Sequence, residues 1–86
     1  MNALEQHIKQ TIEEAIQGSM VYIGGDGTDH FEAIVISEAF EGKMLVKQHQ
    51  MVMQPMKQAF QERVHALALK TFTPTKWEEV KSQYIG

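Results

Sequence analysis

The side chains best suited to chemistry in this sequence are its imidazoles. The chain carries four histidines (His7, His30, His49 and His65) and no cysteine in 86 residues. An imidazole can ligate a metal or move a proton near neutral pH. Without a thiolate of its own, the chain cannot build a sulfur-rich site alone, so any sulfur ligand has to come from a partner. His65 opens an alternating run, Val64-His65-Ala66-Leu67-Ala68-Leu69, and His30 follows a turn-forming tract, Gly24-Gly25-Asp26-Gly27-Thr28-Asp29. Each also has a plain structural reading: a hydrogen-bonded histidine at a strand end for His65, an ordinary hairpin residue for His30. His49 falls on the apolar register of its segment, between Leu45 and Val52, and reads as a core or half-buried ring. His7 faces outward.

Other candidate chemistry is weaker. Gly24-Gly25-Asp26-Gly27 could cradle a phosphate, but no Gly-Lys-Ser/Thr follows and the aspartates would repel it. Asp26, Asp29 and Glu32 lack calcium-loop spacing. Ser37 sits on no nucleophile elbow, and there is no thiol to activate. These features make no catalytic constellation, so an enzyme is not predicted. Met44, Met51, Met53 and Met56 suit either adaptable core filling or a pliable docking surface.

The elements that must position the histidines follow from periodicity. Leu4, Ile8, Ile12, Ala15 and Ile16 recur at helical spacing, with Asn2 as a cap and Gly18 as a stop. Met20–Ile23 and Phe31–Ile36 read as strands of an antiparallel hairpin around a long, mobile tip. The pattern Leu45, His49, Val52, Met56, Phe60 is again helical. Pro55 disfavours helix at Gln54 and suits a first turn, which predicts two helices, about 43–53 and 55–62. A third strand over 64–71 follows, and Thr73-Pro74 starts a closing helix carrying Trp77 and Val80. The order αββααβα predicts an α+β two-layer sandwich, with a three-stranded mixed sheet and helices on one face.

Length predicts a single domain over residues 1–86, with a modest core. The hydrophobic content of 43% argues against disorder, and the lack of cysteine excludes a disulfide scaffold and fits a reducing cytoplasm. No signal peptide is expected from Met1-Asn2-Ala3-Leu4-Glu5, nor a membrane span from any apolar run, so a cytoplasmic protein is predicted. The net charge of −3 conceals an asymmetry: residues 1–42 carry eight acids and one base, residues 43–86 seven bases and three acids. Two solvated faces of opposite sign account for this. The basic half also keeps nucleic-acid binding open.

Several segments resemble the BolA family: Ser37-Glu38-Ala39-Phe40-Glu41-Gly42-Lys43, Leu45-Val46-Lys47-Gln48-His49-Gln50, and Arg63-Val64-His65-Ala66-Leu67-Ala68-Leu69-Lys70-Thr71. Thr73-Pro74 with Trp77-Glu78 extends the likeness toward the end of the chain. The Gly-rich hairpin leading to Asp29-His30-Phe31 looks like the short bacterial branch. The resemblance implies a fold similar to class II KH domains. It also implies a monothiol glutaredoxin as partner and a shared [2Fe–2S] cluster, for iron–sulfur trafficking, iron homeostasis and stress response. On that likeness the glutaredoxin cysteine and glutathione supply sulfur, while this chain supplies His65 and a hairpin-loop group, for which His30 is the candidate.

The family also implies a second function, transcriptional regulation through DNA. Lys43, Lys47, Lys57, Arg63 and Lys70 would form its basic face, and helices broken at Pro55 would loosely match a helix-turn-helix. No Gly-x-x-Gly separates those helices, however. A homodimer is a further option. The chain departs from the family pattern at three places. Asp26-Gly27 stands where the loop ligand often sits, and Gln48 where many members carry arginine. Lys76 replaces the glutamate that completes a capping box, at a cost of about 0.5–1 kcal/mol.

Overall fold

Isoleucines four residues apart decide the first element. Ile8 and Ile12 stack on one side of α1 (Ala3–Ala15) and are fully buried. Gly18 stops the helix in a left-handed conformation, φ +82°, that a side chain would strain. The computed structural model describes residues 3–25, 31–60 and 67–85. After α1 come β1 (Met20–Gly25), β2 (Phe31–Ile36), a 3₁₀ turn (Glu38–Phe40), α2 (Leu45–Phe60), β3 (Leu67–Phe72), α3 (Pro74–Val80) and α4 (Ser82–Ile85). Among the described residues, no helix is long and apolar enough to cross a membrane.

The strands form one sheet in the order β1-β2-β3. β1 and β2 pair antiparallel, from Met20 opposite Ile36 to Gly25 opposite Phe31. β2 and β3 pair parallel, from Phe31 opposite Leu67 to Ile36 opposite Phe72. Parallel neighbours need a long crossover, and α2 lies within it. The α+β class and the mixed three-stranded sheet are as the sequence predicts. The hairpin tip, residues 26–30, lies outside the described residues, as does the predicted start of the third strand.

The main core lies between the sheet and two helices. Val21, Phe31 and Val35 point to this face and meet Ile8, Ile12 and Ile16 near α1 and Val52 and Met56 of α2, with Phe40 closing the cluster. At about 25 cal/mol per Å² of apolar surface removed from water, burying each such side chain contributes about 1.5–3 kcal/mol.

Two features differ from expectation. First, α2 runs unbroken through Pro55, so the two middle helices predicted from that proline are one. A proline inside a helix removes the bond to the carbonyl four residues back, here that of Met51, and costs about 3 kcal/mol. The cost is offset because Val52 and Met56, on either side of Pro55, share one fully buried stripe. A break would separate them.

Second, helices cover both faces of the sheet. Register partners point to the same side, so Tyr22, Ile34 and Lys70 project away from α1 and α2, as do Met20, Ile36 and Phe72. On this far face Trp77 of α3 packs 5.6 Å from Tyr22 and 5.7 Å from Phe72, centroid to centroid. Tyr84 of α4 joins at 5.7 Å from Phe72 and 6.0 Å from Trp77. The Thr73 hydroxyl caps α3 by accepting from the Lys76 N–H, and Pro74 occupies the first turn, as Thr73-Pro74 predicts. This aromatic cluster is a second, smaller core, and it is why α3 and α4 do not join the first layer.

Candidate functional site

Both metal-ligand candidates, His30 and His65, lie outside the described residues, and so does Arg63. What the structure describes is the frame that holds the chain beside them. Phe31 and Leu67 are the first residues of two parallel strands and are ladder partners. His30 is bonded directly to Phe31, and His65 lies two residues before Leu67. Two imidazoles without a thiolate make only part of a ligand set for a sulfur-bridged centre. The donor chemistry fits a site completed by a second molecule. Among the described residues, no group of three or more His, Asp or Glu side chains is placed to hold a metal ion.

The described lysines do not form one strip. Lys43 precedes α2, Lys47 stands in its first turn and Lys57 in its last, all exposed. Ten positions separate Lys47 from Lys57, about 15 Å along the axis and roughly 80° around it. Lys70 belongs to the far face, where its Nζ lies 5.9 Å from the Tyr84 ring centroid. Strand alternation therefore separates Lys70 from the α2 lysines, which interrupts the predicted basic face. With α2 continuous, the helix-turn-helix geometry expected from Pro55 is also absent there.

His49 is half-buried, as its register predicts, and lines a groove of about 260 Å³ beside β3 together with Leu45, Leu69, Lys70, Thr71 and Tyr84. The more informative neighbour is Gln48. Its Nε2 donates to the carbonyls of Lys43, 2.9 Å, and Phe40, 3.3 Å, and its Oε1 accepts from the Thr71 hydroxyl at 2.6 Å. Gln48 therefore ties the loop before α2 to β3. From the sequence alone it reads only as a missing positive charge. The available signal was chemical: an amide can both donate and accept, whereas an arginine can only donate. Ser37, unsuited to nucleophilic work, caps the 3₁₀ turn by accepting from the Ala39 N–H, and its own N–H donates to the Phe72 carbonyl.

The family model described as BolA-like protein matches residues 3–76. This chain belongs to the BolA family. It is 34% identical over 71 residues to acid stress protein IbaG of Escherichia coli, covering 81% of this chain and 83% of that one. It is 27% identical over 85 residues to DNA-binding transcriptional regulator BolA of Haemophilus influenzae, covering 88% of this chain and 82% of that one. Among solved structures, a BolA homologue from Coxiella burnetii superposes with a TM-score of 0.74 at 38% identity, over 91% of this chain and 97% of that one. The solved relatives agree with the α+β fold.

Proposed function

We propose that this BolA-family chain is an adaptor that pairs with a monothiol glutaredoxin and helps ligate a shared [2Fe–2S] cluster. Its task would be iron–sulfur trafficking or iron homeostasis under stress. The observation supporting this reading is the parallel register of Phe31 with Leu67, the first described residues after His30 and His65 in the chain. In this reading His65 supplies one imidazole nitrogen and His30 is the candidate for a second, while the partner's cysteine and glutathione supply sulfur. The bound cluster would contribute electron transfer or transferable iron and sulfide. Histidine in place of cysteine raises a cluster's potential, and only neutral imidazole ligates, so protons compete with iron for the site. That competition suits a family in which one relative is named for acid stress. A cluster held by two proteins is also readily handed on.

The direct experiment mixes this protein, the glutaredoxin, glutathione and iron, and records the visible spectrum with wild type and His65→Ala. The reading expects the mutant to lose the bands of the mixed complex. An identical spectrum would remove His65 from the site.

A second reading, transcriptional regulation through DNA, is favoured by the Haemophilus influenzae relative's name and by the exposed Lys43 and Lys47 at the start of α2. It rests on those two positions, since α2 is continuous and Lys70 belongs to the other face. Titration with duplex DNA at rising salt tests it. Binding that survives charge reversal at Lys43 and Lys47 would remove the proposed face.

A further inference from the structure

The groove beside β3 has no role in the cluster reading, and it combines three features that point to one kind of ligand. The first is an open sheet edge. β3 has β2 on one side and, among the described residues, no strand on the other. The Phe72 carbonyl is turned inward to the Ser37 N–H, so strand alternation turns the N–H and C=O groups of Leu69 and Thr71 toward the free edge. Such groups template the addition of another strand.

The second feature is apolar surface in reach of that edge. Leu45 on one wall is 60% exposed and Tyr84 on the other 41%. These are the side chains that an alternating strand would cover on its two faces.

The third feature is charge. Lys70 lines the groove, and among the described residues no carboxylate does. This balance decides between occupants. A second copy pairing β3 with β3 across a twofold axis would bring like lysines together, which is how proteins discourage edge-to-edge self-association. A nucleic acid would find no open aromatic plane, because the Tyr84 ring already contacts Phe72, Trp77 and Lys70.

We propose that the outer edge of β3, between α2 and Tyr84, is a docking site for an extended, acidic, apolar-alternating segment of a partner protein, which adds to the sheet as a fourth strand. The proposal is independent of the cluster and of His30 and His65, so it is tested without iron or glutaredoxin.

The probe is a short capped peptide alternating glutamate with valine. It is compared with a copy N-methylated at alternate residues, a copy with lysine for glutamate, and oligothymidylate. Binding is followed by amide chemical shifts and hydrogen exchange on the full chain. The acidic peptide should shift the Leu69 and Thr71 amides and slow their exchange at least tenfold, whereas the N-methylated and lysine copies should not. Lys70→Glu should weaken the acidic peptide's Kd at least tenfold, with the thermal melt of the variant as a check on its fold. The proposal is overturned if the Leu69 and Thr71 amides do not respond, or if the N-methylated or lysine copy binds equally well. Preferential filling of the groove by oligothymidylate would also overturn it and assign the groove to nucleic acid.

Discussion

The Thr71 hydroxyl donates to Gln48 Oε1 at 2.6 Å, across 23 positions of chain, while the same amide donates to two carbonyls of the loop before α2. One side chain thus holds the helix start, the loop and the third strand in register. Gln48→Ala should destabilise the fold by about 1–2 kcal/mol, because a part-buried hydroxyl and a loop carbonyl lose their partner together. Thr71→Val should cost less, and the double variant less than the two single effects added, as expected for groups in contact. Urea unfolding of the four proteins measures this. Full additivity would show that the contact contributes nothing.

Pro55 offers a test of the unbroken α2. Pro55→Ala restores an N–H that can reach the Met51 carbonyl and removes a ring that crowds it, so the folded state should gain about 1–3 kcal/mol. Part of that is offset by the freer unfolded chain. A rise in the thermal midpoint is the expected result. If the chain instead turned at Gln54, alanine would be neutral or harmful.

Trp77 is the centre of the second core and the chain's single tryptophan. Trp77→Ala should cost about 3–5 kcal/mol, typical of a large aromatic removed from a packed site. It should also release α4, because Tyr84 stacks on the lost ring. Proton spectra would report this as loss of the upfield shifts of Phe72 and Tyr84. Unchanged ring signals would contradict the packing described for the far face.

The cap of α3 predicts a gain. Thr73 already accepts from the Lys76 N–H, but a lysine at that third position cannot reach back to the cap's own N–H. Lys76→Glu would allow the reciprocal bond and place an anion at the helix start, for about 0.5–1 kcal/mol of added stability. Thermal denaturation at low and high salt separates the two contributions, since only the charge effect is screened.

Much of this architecture was legible because local and global preferences agree. The isoleucines of α1 and the Thr73-Pro74 start each point to the element that forms. Pro55 misled because a local rule met a stronger tertiary demand, the shared burial of Val52 and Met56. The two-sided sheet also has a signature in the sequence. Tyr22, Ile34, Ile36 and Phe72 sit on the face opposite Val21 and Val35, so both faces of the strands are apolar, and a sheet with two apolar faces needs cover on both. The role of Gln48 had no local signature, since its partner lies in another element. At the candidate site, residue chemistry points to His30 and His65, and the structure supplies the pairing of the strands that follow them. Their own placement falls outside the described residues.

The central claim is that this chain donates nitrogen to a cluster held jointly with a thiol protein. The most direct measurement is pulsed electron paramagnetic resonance on the reduced mixed complex, with this chain labelled with ¹⁵N-histidine and the glutaredoxin unlabelled. The account predicts a strong ¹⁵N coupling from a directly bound imidazole, which His65→Ala abolishes. A reduced cluster with no strong nitrogen coupling from this chain would contradict it.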